Sequence, residues 1–414
     1  MITNLKKYLP YLLPLLLIFS RSVADITIVL ISILFIYHSY KKLGWGWVKE
    51  KWFCFALIFW VYCLTINSAF SINPTESLAY SLFFIRWPIF AMALAYWILT
   101  DIKSLKKFLL AMTLVLIFII FDTWWQFFFE QDIFGFEKYM PNRLTGPFKG
   151  NPHVGAWIAK LILLPPLFLI LYDKLKLQEH QNCLTYSFFI ISTILFLSVA
   201  ITGERMALLL TLASIFILFI GLALNKIFLL KKISILLLFS FFAILIFAYS
   251  FPHTTERAYF STIEKILNWR TSDYGLVWQS AYDVWVQSPL FGAGLHKYRE
   301  ACENLGIYGS SYLNAIGGGV CFHPHNISIQ LLSETGLVGF ILFYAMVIVL
   351  AFTSLKIYFT SKLWLSFALV FNIIFTCFLP IASSTSFFAN KYGAIVWLLV
   401  GVMLATNRLF KKEN

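Results

Sequence analysis

The sequence predicts an all-α polytopic membrane protein with about twelve transmembrane helices and one long, mostly helical loop before the last three. Three observations carry this prediction: 60% of the 414 residues are hydrophobic, only 12% are charged, and the mean hydropathy is +0.80. A soluble domain carries about 25% charged residues, so the composition excludes a soluble enzyme. The net charge of +13 would indicate nucleic acid only on a soluble basic surface, and no nucleic-acid partner is expected.

Twelve stretches are apolar enough for a membrane-crossing helix, which needs roughly 20 mostly apolar residues. They are 8–20, 23–40, 52–69, 77–99, 105–129, 153–172, 185–202, 206–224, 233–250, 326–354, 363–380 and 386–406. The first is the shortest and contains Pro10 and Pro14. We expect a retained helix rather than a cleaved signal peptide, because Ser22-Val23-Ala24 is a poor cleavage site and a second span follows directly.

The distribution of lysine and arginine predicts that both termini face the cytoplasm. In that orientation 19 of the 32 basic residues fall on the inner side and 11 on the outer side. The chain then divides into nine spans over 1–250, an outer domain over 251–325, and three spans with a short cytoplasmic tail over 326–414. The other large outer segment is 130–152. A chain that elaborates its outer loops is expected to act on the outer face of the membrane.

The outer domain is expected to contain an amphipathic helix over 273–288, because Trp278, Ala281, Tyr282 and Trp285 recur at helical spacing. Its apolar face should lie on the helix bundle or at the membrane interface.

Cys302 and Cys321 share the long outer loop. They form either one disulfide, if the compartment is oxidising, or two unpaired thiols, and the sequence leaves both alternatives open. The chain has no Cys-x-x-Cys pair, so a redox or zinc box is not expected.

His323-Pro324-His325-Asn326 leads directly into the tenth span. Histidine has an unperturbed pKa of about 6.5, which suits proton transfer near neutrality. The paired histidines also favour metal binding, but no third ligand has convincing spacing, so neither a metal nor another cofactor is expected. The alternative is that His325 merely caps the helix. A neutral base at His325 would predict that turnover falls below about pH 6.5.

Glu334 follows His325 by nine residues, which places it on the opposite face of the same helix. It should therefore meet another span. Arg86 falls inside a span and must also find a partner, so a Glu334–Arg86 pair is conceivable.

Four of the eleven outer basic residues are candidates for a binding site, since they lie against the inside bias. Arg205 ends the turn Thr202-Gly-Glu-Arg205, Arg143 and Lys149 lie in the segment 130–152, and Arg270 lies in the long loop. A guanidinium group binds phosphate oxygens bidentately. These residues are therefore interpreted as a clamp for a lipid diphosphate, with interfacial snorkelling or salt bridges as the alternative.

Three short motifs of the chain resemble those of a known family. His325-Asn326, nine residues, Gly336, two residues and Gly339 match the His-[Asn/Ser/Gln]-x9-Gly-x2-Gly signature of bacterial O-antigen ligases. Ser288-Pro-Leu-Phe-Gly-Ala-Gly294 resembles a Pro-x-x-Gly-x-Gly turn that ligases share with related polysaccharide polymerases. Thr202-Gly-Glu-Arg205 resembles the turn that bears the family's outward arginine.

The resemblance implies a glycosyltransferase of the bacterial inner membrane with a periplasmic active site, surrounded by membrane lipid. Such ligases transfer O-antigen polysaccharide from undecaprenyl diphosphate to a hydroxyl of lipid A–core, with inversion and without metal or ATP. Carried over, His325 would be the general base, with Asn326 and His323 in support.

The resemblance also implies which residues hold the diphosphate. Arg205 would be the first, and Arg270 is the nearest match to a second essential arginine in the long loop. Tyr274-Gly275 stands where that arginine usually lies, so Arg257 is a substitute. Arg143 and Lys149 would contribute to the same phosphate site.

Other functions stay open. A repeat-unit polymerase would use a second undecaprenyl-linked glycan as its acceptor. A protein O-glycosyltransferase is expected to carry more periplasmic sequence at its C-terminus. A transporter of lipid-linked glycans should place its polar residues near the midplane, often in two similar halves, whereas here they gather at the outer rim.

Overall fold

The computed structural model describes residues 2–172, 181–224, 267–306, 321–361, 364–380 and 385–413, with isolated positions between 234 and 252. Over these residues the chain is helical, and its only extended pairing is two isolated antiparallel bridges, Gln131 with Glu137 and Met140 with Arg143. The all-α prediction is confirmed for this part of the chain.

The helices follow the apolar stretches of the sequence. In chain order they are α1 Ile2–Phe19, α2 Arg21–His38, α3 Lys51–Tyr62, α4 Pro74–Phe84, α5 Arg86–Ala93, α6 Ile102–Phe129, α7 Val154–Leu161, α8 Leu164–Tyr172, α9 Gln181–Ala200, α10 Arg205–Leu224, α11 Asp273–Gln287, α12 Tyr298–Asn304, α13 Ile327–Ser361, α14 Trp364–Phe378 and α15 Asn390–Glu413. π-Helical turns extend three of them, over Ser39–Leu43, Cys63–Asn67 and Leu94–Ile98.

Five of the described helical segments are long and apolar enough to cross a membrane, judged by length and composition. They are Arg21–Leu43, Pro74–Ile98, Ile102–Phe129, Ile327–Lys356 and Asn390–Lys411. Shorter apolar helices cover Tyr8–Phe19, Lys51–Asn67, Val154–Leu169, Tyr186–Ala200, Arg205–Gly221 and Phe367–Phe378. These segments indicate a multi-pass membrane protein. The number of spans stays a prediction, and the predicted span 233–250 lies outside the continuously described residues.

Helix α15 lies at the centre of the bundle. Its middle, which includes Trp397, Leu398 and Val400, is fully buried, as expected for a helix that is apolar on every side. Trp397 stacks on Trp52 of α3 with ring centroids 6.1 Å apart. The other helices therefore pack around α15 and bring several helix ends together.

Two glycine-containing segments lock together where α13 bends. Gly336 interrupts α13 with φ 66° and ψ −175°, and the exposed amides after it donate to the turn 289–294: Leu337 N to Pro289 O at 2.9 Å and Val338 N to Leu290 O at 3.2 Å. A Cβ on Gly336 would lie 2.3 Å from Leu290 O. The Pro-x-x-Gly-x-Gly turn and the first glycine of the histidine motif are thus two halves of one joint.

The expectation of a Glu334–Arg86 pair is wrong. Arg86 Nε lies 3.2 Å from Asp25 Oδ1, and its Nη2 donates to Asn390. Glu334 accepts instead from the His296 amide at 3.0 Å. Since the bent α13 turns Glu334 towards the loop that follows the 289–294 turn, backbone amides satisfy the carboxylate there and no distant arginine is needed.

The outer helix predicted over 273–288 forms as α11, and Ala281 of the predicted apolar face is buried. Val277, Ala281 and Val284 are buried, whereas Tyr282 is 51% exposed. The buried face packs against the Cys302–Cys321 disulfide, which decides the alternative that the sequence left open. Smaller side chains allow this close approach, and the aromatic rings stay at the surface.

Candidate active site

His325 is held at the entrance of α13 by its neighbour. The side chain of Asn326 accepts hydrogen bonds from the amides of Ser328 and Ile329, at 3.0 and 3.3 Å, which is the ordinary helix-capping role of asparagine. The alternative in which His325 merely caps the helix is therefore wrong, because Asn326 performs that function. The imidazole of His325 is therefore not needed as the helix cap.

The backbone of His325 has φ 50°, a conformation uncommon outside glycine. Its ring meets the His323 ring edge to face, with centroids 3.6 Å apart, and the Tyr274 ring with centroids 5.8 Å apart. His323 is buried, whereas His325 is partly exposed. Unusual backbone conformations of this kind cluster at functional sites.

The surroundings of His325 keep its ring uncharged. Burial, followed by the charges of His323, Arg143 and His153, lowers the pKa of His325 well below its usual 6.5. Burial alone lowers the pKa of His323 to about 4. At neutral pH both rings are neutral, and a neutral imidazole keeps one nitrogen free to accept a proton.

Arg143 stands beside His325 because its loop is pinned to the helices. The following residue, Leu144, donates its amide to Thr202 O at 3.3 Å, and the Gln126 side chain accepts the amides of Thr145 and Gly146 at 2.8 and 2.9 Å. Arg143 Nη2 donates to Pro152 O at 3.4 Å. Its buried Nε has no hydrogen-bond partner among the described residues and is left available for a ligand.

The turn before α10 places the Glu204 side chain at the N-terminus of α7. The Glu204 carboxylate accepts the amides of Gly155 and Ala156, at 2.6 and 3.1 Å. Burial raises the pKa of Glu204 to about 7, and the charge of Arg143 and these two amides oppose the rise. Arg205, the first residue of α10, is partly exposed. The 202–205 turn, which resembles the family's arginine turn, therefore also anchors the start of α7. Helix α7 carries Lys160.

The remaining predicted residues lie farther from the ring. Arg270 is exposed in the turn that precedes α11, with its guanidinium 5.5 Å from the Trp269 ring centroid. Lys149 is exposed on its loop. Among the described residues, neither of these nor Arg205 lies within hydrogen-bonding distance of His325, so their role in a clamp stays a prediction. Arg257 lies outside the described residues.

Sequence reasoning missed His153, whose charge acts on His325, and the two lysines of the pocket that His153 lines, Lys160 and Lys391. The available signal was a lysine within an apolar stretch, which is costly unless it has a function. Within the described ranges, no group of three or more His, Cys, Asp or Glu residues is placed to hold a metal ion.

Comparison with known proteins gives one family match. No curated protein matches the chain. Residues 187–344 match the family model described as O-antigen ligase, a family of O-antigen ligase and polymerase-type glycosyltransferases. The matched range contains the Pro289–Gly294 turn, His325 and both glycines of its motif. The histidine motif, the glycine joint and this match together assign residues 187–344 of the chain to the O-antigen ligase family.

Proposed function

We propose that the protein transfers O-antigen polysaccharide from undecaprenyl diphosphate to a hydroxyl of lipid A–core, on the periplasmic side of the inner membrane. The observation that supports this most is a neutral, partly exposed His325 with the charge of Arg143 beside it. A hydroxyl acceptor needs a base, a diphosphate leaving group needs positive charge, and the two requirements meet at this point.

In the proposed reaction the neutral His325 ring accepts the proton of the acceptor hydroxyl. The hydroxyl oxygen bonds to the anomeric carbon as the bond from that carbon to the diphosphate breaks, so the configuration inverts. General base catalysis contributes typically 10²–10⁴-fold. The departing diphosphate gains negative charge, and a fixed guanidinium such as Arg143 stabilises that charge in the transition state.

The same electrostatics links donor binding to the base. The charge of Arg143 contributes to the lowered pKa of His325. A bound diphosphate would offset that positive charge and raise the pKa of His325 again, because an opposite charge nearby favours the protonated form. His325 would thus become a stronger base only after the donor has bound, which disfavours proton transfer without a donor.

The proposed orientation places both termini in the cytoplasm and the helix entrances of α7, α10, α13 and α15 on the periplasmic side. These entrances lie together, since Glu204 binds the first turn of α7 and Gln330 of α13 binds the amide of Phe387 just before α15. A reaction centre at this end would suit two lipid-anchored substrates in the outer leaflet.

Reconstitution tests the proposal. Purified protein, an undecaprenyl-diphosphate-linked glycan and lipid A–core are combined with a chelator present, and glycan on lipid A–core is measured. We expect transfer by the wild type and at least a 100-fold loss in His325→Ala. His38→Ala is the matched control, because His38 ends α2 at the opposite end of the bundle. Lengthening of the glycan on undecaprenyl diphosphate would instead show a polymerase, and full activity of His325→Ala would rule out the base.

A further inference from the structure

Helix α11 carries a row of aromatic rings that the proposed reaction does not use. Each turn of the helix contributes one ring, and at about 100° per residue all four rings fall within about 80° around the helix axis. We call this row the aromatic stripe, and its members are Tyr274, Trp278, Tyr282 and Trp285. At about 1.5 Å per residue the stripe is roughly 16 Å long. It therefore has the length to contact an extended ligand.

The rings of the stripe are accessible. Tyr274 is 40% exposed and Tyr282 is 51% exposed, and the two tryptophans are partly exposed. The ring centroids of Tyr282 and Trp285 are 5.5 Å apart. Trp269, in the turn before the helix, adds a further ring 6.5 Å from that of Trp278. A continuous exposed aromatic surface of this kind marks an interaction site.

The stripe has a rigid support. Behind it, Val277 and Ala281 pack against the Cys302–Cys321 disulfide. At its far end, Trp285 Nε1 donates to Pro289 O at 3.0 Å. Rigid tyrosine and tryptophan side chains supply contact area at a low cost in conformational entropy. A ligand would therefore bind the stripe without first having to order it.

One end of the stripe touches the candidate base. The Tyr274 ring meets the His325 ring edge to face, with centroids 5.8 Å apart. From there the stripe runs along α11 to the 289–294 turn, whose carbonyls accept the amides of Leu337 and Val338 at the bend of α13. A chain molecule that reacts at His325 would therefore continue along the stripe.

The residue types favour a hydroxylated ligand over acyl chains. Tyrosine and tryptophan combine an apolar ring with a hydrogen-bonding group, and the buried Nε1 of Trp278 has no partner among the described residues. A second aromatic patch, at the end of α6, is different. Its Phe128, Phe129 and Phe134 are each more than half exposed and carry no polar group, which suits lipid.

Sugar rings match the stripe in both respects. The C–H groups on one face of a sugar ring stack on the electron-rich face of an aromatic ring. The hydroxyl groups at the edge of the sugar remain free to hydrogen-bond with a phenol or an indole N–H. A row of similar side chains thus suits a chain of repeating sugars.

We propose that the aromatic stripe binds the polysaccharide of the lipid-linked donor, with successive sugar rings stacked along α11 and the reacting end at His325. The inference rests on the proposed function and assigns a surface to the part of the donor that does not react. The donor is the occupant because its glycan is a repeating chain. Binding energy gained on the stripe would position the reacting carbon from a distance.

Donors of two lengths test the inference in the reconstituted reaction of the full chain. One donor is undecaprenyl diphosphate that carries the polysaccharide, and the other carries a single sugar. We expect Tyr282→Ala and Trp285→Ala each to raise the KM for the long donor at least about fivefold, and to leave the KM for the short donor unchanged. Tyr282→Phe keeps the ring and should resemble the wild type. Phe129→Ala is the matched control, because Phe129 is an exposed ring of α6.

A binding measurement makes the test independent of transfer. The polysaccharide is released from its lipid by mild acid, and its Kd for the full chain in nanodiscs is measured by titration calorimetry. We expect the same loss of about fivefold in Tyr282→Ala, whereas released core oligosaccharide should bind weakly to wild type and variant alike. Because surface substitutions rarely change stability by much, the exposed Tyr282 separates binding from folding, and equal melting temperatures check this.

The outcomes separate this inference from the proposed function. Unchanged Kd and KM would overturn the inference and leave the rings to the membrane interface, while glycan transfer by the wild type would still uphold the function. Equal effects on both donors would indicate a structural role, and an effect confined to lipid A–core would assign the stripe to the acceptor; either result overturns the inference. Ring-dependent binding of the polysaccharide without transfer would support the stripe and contradict the function.

Discussion

The rings of His323 and His325 meet edge to face, with centroids 3.6 Å apart. At that distance two imidazolium charges would repel strongly, so protonation of one ring opposes protonation of the other. Arg143 and His153 oppose it further. The histidine motif thus holds a ring that stays neutral into acidic solution.

This arrangement corrects the pH dependence expected from the sequence, an acid limb at about pH 6.5. The active base is the neutral form of His325, and a lowered pKa means that the neutral form persists to lower pH. We expect kcat/KM to stay level from pH 8 to well below 6.5 and to fall only as the pH approaches the lowered pKa. In Arg143→Gln the acid limb should move to higher pH, because one opposing charge is gone.

The measurement is glycan transfer at limiting donor across this pH range, for wild type and Arg143→Gln. Lys138→Gln is the control for loss of a positive charge, since Lys138 pairs with Glu130 on the same outer loop. A wild-type limb at 6.5 or above would contradict the electrostatic description of the site.

Much of the fold could be predicted from hydropathy, because a long apolar stretch in a membrane has few structures other than a helix. The sequence alone did not predict which face of α11 is buried. Large aromatic residues dominate the helical pattern around Trp285, yet Val277, Ala281 and Val284 are the residues that fit against the disulfide. Which face is buried depends on the shape of the partner surface, and the local pattern does not contain that shape.

The sequence predicted only part of the candidate site, because some of its residues are brought together by packing and not by a local motif. A local motif identified His325, and the choice of Arg143 rested on its place in an outer loop. Lys160 and Lys391 are more than 200 residues apart in sequence, and the packing of α15 beside α7 brings them together. Conversely, the likeness to the family suggested roles for Arg205 and Arg270, but a motif gives no distance, and no hydrogen bond joins either of them to His325 among the described residues.

A substitution in the glycine joint should damage the fold without touching the chemistry. In Gly336→Ala the new Cβ would stand 2.3 Å from Leu290 O, on a backbone with φ 66°. The strain of that φ is about 1–2 kcal/mol, and displaced hydrogen bonds add about 1 kcal/mol each, so we expect a loss of about 3 kcal/mol.

Thermal unfolding of the purified protein in detergent measures this loss. Gly46→Ala is the control, because nothing lies within 4 Å of the position of its Cβ and its φ is not positive. Equal melting temperatures for the two variants would contradict the close backbone contact between the turn and α13.

Removal of the disulfide should destabilise the fold. The bridge joins Cys302 and Cys321 across 19 residues, and closing a loop of that size stabilises a fold by about 3 kcal/mol. We expect Cys302→Ser to lower the melting temperature of the purified protein in detergent. Cys54→Ser, which changes an exposed free cysteine, should leave the melting temperature unchanged. Equal melting temperatures for the two variants would show that the packing of Cys302 and Cys321 against α11 is sufficient without the bridge.

Gln330 connects the histidine motif to the lysine pocket. Its side-chain amide donates to Ser386 Oγ at 2.7 Å and to Glu334 Oε1 at 3.2 Å, and its Oε1 accepts the amide of Phe387 at 3.0 Å. These bonds fix the segment that leads into Lys391. In Gln330→Leu the segment loses its anchor, and buried partners left unsatisfied cost about 1–3 kcal/mol each.

Lys391 brings an ammonium group to the pocket that His153 lines, so the loss of its anchor should affect binding of the anionic donor more than the chemical step. We expect the KM for the lipid-linked donor to rise about tenfold and kcat to change much less, because the His325 ring and its Asn326 cap are untouched. Gln279→Leu is the matched control, since Gln279 is an exposed glutamine of α11 whose side chain donates to Asp283. A fall in kcat with an unchanged KM would place Gln330 in the support of His325 instead, and would separate the segment before α15 from donor binding.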